Sequence, residues 1–224
     1  MNKIMELDSK HGPSFQKITA EDYISLNGVG LEQLIHPFFE EWFTYLTSDY
    51  KFEDNISTVI FIPCAAIKPY NYSPIHKLFN QIIEKYSGIK RVVISNAGII
   101  PYEFKDRFPF NSYDWNPLLE TDQIIKQYRD ITQNRMVEFI KHVETFGEYR
   151  YLTFLRTDSD SFFAIKNAFK QLGRTDDLTT IKITGDIPEK KDTDLILILE
   201  ENLSRLDKTL SKQMEEQVYG ILGR

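Results

Sequence analysis

Hydrophobic residues in this chain form short unbroken runs that alternate with longer stripes at helical spacing. The runs at 57–62, 91–95 and 149–155 predict buried strands, and an alternating run at 178–184 predicts an edge strand. The stripes predict helices over 31–50, 73–86, 121–146, 162–172 and 194–222. Strands that alternate with helices predict an α/β protein, here a three-layer sandwich with a mainly parallel, Rossmann-like four-stranded sheet and a long C-terminal helix.

Turn and cap signals divide the chain into three predicted parts. Residues 1–30 form an N-terminal extension that begins with a loosely attached polar segment and contains a short strand at 14–20. Residues 31–184 form the α/β core, with a helix restart expected at Pro37. Residues 185–224 contain a charged loop to Thr193 and then the final helix, which packs on the core or on a partner.

Reactive side chains cluster directly after the first predicted core strand. The loop and the helix start carry a thiol, an amine, a phenol, a hydroxyl and an imidazole: Cys64, Lys68, Tyr70, Ser73 and His76. Ser73 precedes Pro74, which is a typical helix start. Ligands of open α/β sheets bind beyond the carboxyl ends of the strands, so this loop is the first candidate for a functional site.

A long segment from Asn96 to Pro117 follows the second predicted strand at the same sheet edge. Loops of this length in compact domains are often functional. The segment contributes the candidates Asn96, Gly98, Glu103 and Asp114. The sequence therefore predicts a pocket between this segment and the Cys64 loop.

Composition narrows the function classes. The net charge of −6 does not suit a stand-alone nucleic-acid binder, since Lys and Arg contacts to phosphate provide most of that affinity. The single cysteine excludes an intramolecular disulfide, and with His76 it lacks the spacing of a zinc site. No apolar run reaches the length of a membrane span and no signal peptide is evident, so a cytoplasmic protein without membrane contact is expected.

The spacing of the clustered residues carries a resemblance to a known family. The motif reads Pro63-Cys64, three residues, Lys68-Pro69-Tyr70, two residues, Ser73, two residues, His76. It resembles the signature of the core domain of archaeosine synthase, a relative of archaeal tRNA-guanine transglycosylase. The likeness extends over roughly 34–172 and includes the pairs Pro101-x-Glu103 and Tyr113-Asp114. The fold is then expected to be similar to that of uracil-DNA glycosylase.

The resemblance implies an enzyme of tRNA modification, or one subunit of it. Such an enzyme adds an amine donor, lysine or glutamine, to the nitrile of 7-cyano-7-deazaguanine in tRNA and forms the amidine of archaeosine, without a bound cofactor or metal. Full-length members also carry a transglycosylase-like region and an RNA-binding PUA domain. A core domain alone is therefore expected to act on tRNA that a partner subunit presents.

Each candidate has a chemical role and a structural alternative. Cys64 can attack the nitrile first and form a thioimidate, or it can be a small buried hydrophobe. His76 can protonate the nitrile nitrogen or stabilise a Cys64 thiolate, or it can be a core histidine. Lys68 can lower the pKa of Cys64 or bind a substrate anion, or it can belong to a turn.

Two acids complete the set of catalytic candidates, and four other residues are candidates for substrate binding. Glu103 or Asp114 can bind the ammonium of the incoming amino acid, or both can be surface acids. Tyr70 can stack on the deazapurine. Ser73, Asn96 and Gly98 are further substrate-binding candidates, with a helix N-cap as the alternative for Ser73.

Two other functions compete with this enzyme. A non-catalytic module can bind deazaguanine-containing tRNA or a transglycosylase-like partner. A glycosylase-type enzyme is the third possibility, but the Asp-Pro-Tyr loop expected after its first core strand is absent from the sequence.

Overall fold

The computed structural model describes residues 5–8, 12–15, 17–185 and 193–222, which form a mixed α/β protein. Within these ranges the strands are β1 (Met5–Asp8), β2 (Gly12–Phe15), β3 (Thr58–Pro63), β4 (Ile89–Ser95), β5 (Gly98–Pro101), β6 (Arg150–Thr153) and β7 (Leu178–Thr180). The α-helices are α1 (Ala20–Ser25), α2 (Leu31–Leu34), α3 (Pro37–Ser48), α4 (Pro74–Ile83), α5 (Asp122–Val143), α6 (Asp160–Gln171) and α7 (Glu200–Leu222).

The core of the molecule is a five-stranded, mostly parallel sheet in the order β5-β4-β3-β6-β7. Central strand β3 is parallel to both β4 and β6, and β7 extends the parallel set on the far side of β6. All six residues of β3 are buried, and the five from Val59 to Pro63 form a continuous apolar run, as is typical of a strand covered on both faces. The alternating strands and helices predicted from the sequence are confirmed in this sheet.

The prediction of four core strands is wrong by one strand. Residues Asn96 and Ala97 make a tight reversal, and Ser95 pairs with Gly98 in an antiparallel register. Gly98 has a φ of +116°, which residues with a Cβ rarely adopt. The segment that was predicted to leave the sheet as a long loop therefore first returns along β4 as the edge strand β5.

The helices divide into two contacting groups. Helix α5 packs against α3 and α6, whereas α4 packs against α7. Right-handed crossovers between parallel strands place successive helices in this way when the chain changes direction across a sheet. The arrangement is consistent with the predicted three-layer sandwich.

The restart at Pro37 predicted from the sequence is confirmed. Helix α2 ends at Leu34 and α3 begins at Pro37. The imidazole of His36 caps α3, because its Nδ1 accepts a hydrogen bond of 3.3 Å from the backbone N–H of Phe38.

The N-terminal strands form their own antiparallel pair, with Met5 opposite Phe15. The ring of Phe15 packs edge-on against Phe38 of α3, with centroids 4.8 Å apart. Residues 1–4 and 9–11 of the predicted polar segment, and 186–192 of the predicted charged loop, lie outside the described residues. In the described part of the chain, no helix is long and apolar enough to cross a membrane.

Candidate functional site

The candidate site lies where the strand order changes direction. The chain passes from β3 to its neighbour β4 and later returns to β6 on the opposite side of β3. Such a switch point opens a crevice at the carboxyl ends of the two central strands, which is the usual ligand position in doubly wound sheets. Cys64 follows β3 directly, and Arg156 lies in the loop after β6.

The structure brings Cys64, Lys68 and Asp114 together. Cys64 is partly buried, and its backbone N–H donates a 3.1 Å hydrogen bond to the carbonyl of Ile94. Burial lowers the pKa of the Lys68 amine, and the nearby charges of Cys64 and Asp114 oppose part of that change. The sequence-predicted thiol, amine and carboxyl group therefore share one electrostatic environment.

An aromatic ring fixes the position of the amine. The Nζ atom of Lys68 lies 3.9 Å from the centroid of the Tyr113 ring. Cation–π contacts of this kind stabilise the charged form of lysine and hold its flexible side chain in one place. The Lys68 side chain is therefore oriented by a residue from the segment that follows β5.

A chain of buried hydroxyl groups lies beneath this amine. The hydroxyl of Tyr70 is 2.7 Å from that of Tyr113, which also contacts the hydroxyl of Ser95. Ser95 in turn accepts a 3.0 Å hydrogen bond from the backbone N–H of Ala97. Burial raises the pKa of both phenols, so both are neutral hydrogen-bonding groups near pH 7.

The predicted stacking of Tyr70 on a substrate base is not supported. Its side chain is fully buried, and its ring packs on the imidazole of His76 with centroids 4.8 Å apart. A ring in this position has no accessible face. Tyr70 instead contributes its hydroxyl to the buried chain with Tyr113 and Ser95.

His76 is a buried, neutral imidazole between two tyrosine rings. It stacks on Tyr70 and, with centroids 5.7 Å apart, on Tyr102. Burial lowers its pKa to about 4, while the nearby Pro63 carbonyl opposes the change. Neither ring nitrogen has a hydrogen bond of normal geometry among the described residues. A neutral imidazole cannot stabilise a Cys64 thiolate by charge, so that part of the predicted role is not supported.

Ser73 does not cap its helix through the side chain. It occupies the N-cap position of α4 and is buried, but its hydroxyl makes no hydrogen bond to the first turn. Pro74 at the first helical position provides the helix start instead. Ser73 therefore occupies the helix N-cap position that was predicted as its structural alternative, but only its backbone has that role.

Glu103 lies away from the group around Cys64. Its carboxylate accepts hydrogen bonds of 2.6 Å from the Tyr50 hydroxyl and 2.7 Å from Lys90. Lys90 is the second residue of β4, opposite Val59, and so lies toward the amino end of the parallel strands. The cause is β5, which carries the chain back along β4 before Glu103 is reached. Glu103 lines an open cleft of about 650 Å³ at that end.

The two remaining candidates, Gly98 and Asn96, lie at the turn that follows β4. Gly98 is buried, and a Cβ at this position would lie 3.4 Å from Nη1 of Arg135. The side chain of Asn96 faces the carboxyl group of Glu120, whose pKa is raised by burial and only partly brought back by the Asn96 contact. Gly98 therefore has a backbone role, whereas Asn96 contributes a polar side chain at the carboxyl edge.

Sequence reasoning missed several residues of this edge. Burial raises the pKa of the Tyr128 phenol on α5, and nearby Cys64 adds a smaller contribution in the same direction. The Tyr128 hydroxyl is 2.6 Å from that of Ser161. Arg156 is largely buried, with Asp158 3.3 Å from its Nε. The available signal for Arg156 was its position directly after a predicted strand. Among the described residues, no three His, Cys, Asp or Glu side chains are grouped closely enough to hold a metal ion.

Comparisons with known proteins give a family but no activity. The crystal structure of AF0587, a protein of unknown function, is similar over 75% of this chain, with 17% identity and a TM-score of 0.48. The chain spans 48% of that protein. No curated protein matches the sequence. The profile of a domain of unknown function, DUF5591, matches residues 39–168, which include β3 to β6 and the Cys64 loop. The chain therefore belongs to the DUF5591 family.

Proposed function

We propose that this protein is a subunit of a tRNA-modifying enzyme of archaeosine biosynthesis. It adds an amine donor, lysine in the favoured route, to the nitrile of 7-cyano-7-deazaguanine in tRNA and forms an amidine. The observation that carries the proposal is that Lys68 lies close enough to Cys64 at the carboxyl end of β3 for the two to interact electrostatically, within a complete Cys-Lys-Tyr-Ser-His signature. The DUF5591 match spans this signature.

Lys68 has the properties that nitrile addition requires of a proton carrier. A nitrile nitrogen must receive a proton as the nucleophile attacks its carbon. Because burial lowers the pKa of Lys68, its ammonium is a stronger acid than that of a surface lysine, and its neutral form is more accessible as a base. The Tyr113 ring keeps this amine in one position during the proton transfer.

Cys64 gives a covalent route. Neutral Lys68 takes the thiol proton, and the sulfur attacks the nitrile carbon. The electron pair of the broken π bond moves to nitrogen, which receives the proton from Lys68. The donor amine then attacks the thioimidate carbon, the C–S bond breaks, and the thiolate regains a proton from the attacking nitrogen. In the alternative route the amine attacks the nitrile directly and Cys64 only positions the base.

A labelling experiment tests the proposal. The protein is incubated with tRNA that carries the nitrile base and with labelled L-lysine, in the presence and absence of a transglycosylase-like partner. The expected result is label in the tRNA, with the mass of a lysine adduct on the base. The absence of label under both conditions would overturn the proposal.

Two substitutions then separate the two routes. On the covalent route Cys64→Ala and Cys64→Ser both lose labelling by about a hundredfold or more. Near-normal labelling by both variants excludes the thioimidate and leaves direct attack by the amine.

The burial of the signature residues favours one alternative function, a non-catalytic binding module. Tyr70 and His76 are fully buried and Ser73 nearly so, as expected if much of the motif maintains the shape of a binding module. If the protein is such a module, wild type and Cys64→Ala should bind nitrile-bearing tRNA or the partner equally well. Neither protein should then label the tRNA. Electrophoretic mobility shifts of the tRNA measure that binding.

A further inference from the structure

Glu120 is a carboxylate at the site edge that the sequence does not single out. It follows the short turn Pro117–Leu119 and lies just before α5. The indole Nε1 of Trp115 donates a 2.7 Å hydrogen bond to its Oε1. The Asn96 side chain faces the same carboxyl group. Two neutral groups thus hold Glu120 in one position.

The contacts of its neighbours place Glu120 at the same edge as Lys68. Asn96 directly follows Ser95, whose hydroxyl contacts that of Tyr113. The Lys68 amine in turn lies over the Tyr113 ring. Glu120 therefore lies at the carboxyl end of β4, where Glu103 was expected and is not found.

Glu120 differs from the other acids here in its partners. Asp160 is paired with Arg129, whose Nε donates to it at 2.6 Å. Asp158 faces Arg156. No salt bridge to Glu120 is present among the described residues, and its hydrogen-bond donors are uncharged. Burial and the charge of Asp160 raise the pKa of the Glu120 carboxyl.

A half-buried carboxylate without a cation is an incomplete ion pair. Burial of a charge costs free energy that an opposite charge offsets. The proposed reaction brings such a charge, since the donor arrives as an ammonium ion and must lose a proton before it can attack. A carboxylate with a raised pKa is better suited to accept that proton than an ordinary surface acid.

We propose that Glu120 binds the ammonium group of the amine donor beside Lys68 and takes its proton. This inference rests on the proposed function. The carboxylate accepts one proton, the neutral nitrogen forms the new C–N bond, and the nitrile nitrogen receives a proton from Lys68. The attached nitrogen, which is now positively charged, returns one proton to Lys68. The resulting neutral amidine then takes up the Glu120 proton and leaves as an amidinium ion. The positive charge of the ammonium is thereby conserved, and no other reactant is consumed.

Direct binding of L-lysine tests the inference without tRNA. Isothermal titration calorimetry compares wild type, Glu120→Gln and Glu120→Asp, with L-norleucine as the ligand that lacks the side-chain amine. Glu120→Gln keeps an oxygen that can accept the Trp115 hydrogen bond but loses the charge. We expect its dissociation constant for L-lysine to rise about tenfold or more, and that of Glu120→Asp to rise less. Norleucine should bind weakly to all three proteins.

Glu138→Gln is the matched control, because Glu138 is exposed on α5 and pairs only with Lys141 in the described structure. Lysine affinity equal to wild type in Glu120→Gln would overturn the inference. If Glu120→Gln does not fold, as judged by its melting curve, Glu120→Asp decides: its affinity for lysine must still exceed its affinity for norleucine.

The labelling assay separates this inference from the proposed function. If wild type labels tRNA and Glu120→Gln does so with an unchanged KM for lysine, the inference fails and the function stands. If wild type labels no tRNA but its lysine affinity depends on Glu120, the proposed function fails and the ammonium site stands.

Discussion

The imidazole of His76 shows how burial changes a side chain that the sequence presents as reactive. Between the rings of Tyr70 and Tyr102 it stays neutral far below the usual pKa of histidine, because protonation would place a charge in the core. Its contribution to the candidate site is therefore shape and packing. The same burial makes it a source of acid sensitivity.

We expect stability to fall as the pH drops from about 6.5 to 4. The unfolded chain binds a proton at His76 near pH 6.5, whereas the folded protein does so only near pH 4. Protonation thus favours the unfolded state across this window, by about 3 kcal/mol for this residue. Urea unfolding of wild type and His76→Phe at pH 7 and pH 4 measures the difference. Equal losses of stability in the two proteins would contradict it.

Substitution of Lys68 should reduce activity without reducing stability. Lys68→Met removes an amine whose charged form is disfavoured by burial, so the melting temperature at pH 7 should not fall. The same change removes the proposed proton carrier, and tRNA labelling should drop by about a hundredfold or more. Lys141→Met on the exposed side of α5 is the control and should label normally. Labelling by Lys68→Met at the wild-type rate would exclude Lys68 from the reaction.

At the scale of elements, the reversal from β4 to β5 decides which side chains reach the site. It carries Glu103 toward the amino end of the sheet and leaves Asn96 at the carboxyl end. Gly98 makes the reversal possible through its φ of +116°. A side chain here meets both an unfavourable backbone conformation and the guanidinium of Arg135.

Gly98→Ala should therefore destabilise the protein by about 1 to 3 kcal/mol. Gly173→Ala is the matched control, since Gly173 also has a positive φ, +73°, but an added Cβ would have no atom within 4 Å. It should cost only about 1 kcal/mol. Chemical denaturation of both variants gives the comparison, and an equal or smaller loss for Gly98→Ala would contradict the assigned backbone role.

The sequence predicts the parallel elements well because their signals are local. The apolar runs mark β3, β4 and β6, and the caps Thr121 and Ser159 mark the starts of α5 and α6. Strand β5 was missed because four residues at a sheet edge carry little periodicity, and their pairing depends on the turn at Asn96. The signature identifies the residues between Cys64 and His76 that are candidates for the site. It does not predict the hydroxyl contact of Tyr70 with Tyr113, because these residues are 43 positions apart and meet only in the folded chain.

At the scale of the whole molecule, α7 is fastened to the sheet domain by apolar and polar contacts. Leu206 and Leu210 are fully buried. The Asn202 side chain accepts a 2.9 Å hydrogen bond from the backbone N–H of Thr184 and donates 2.8 Å bonds to the carbonyls of Thr184 and Ile196. Asp207 accepts a 2.7 Å hydrogen bond from the Tyr86 hydroxyl.

Removal of residues 185–224 should therefore abolish cooperative unfolding, because it exposes the surface of α4 against which α7 packs. Leu206→Ala gives a graded version and should cost about 2 to 5 kcal/mol. Near-ultraviolet circular dichroism during heating measures both. A truncated chain that melts at the wild-type temperature would show instead that the helix is a separate attachment.

The two edges of the sheet have a consequence for behaviour at high concentration. On one side the edge strand is β5, which has four residues and ends at Pro101. On the other side the edge strand is β7, which has three residues. Short edge strands and edge prolines offer few open backbone groups to a strand from a second molecule. Concentrated samples should therefore resist fibril growth by strand addition, and thioflavin T fluorescence should stay at its baseline while the protein remains folded.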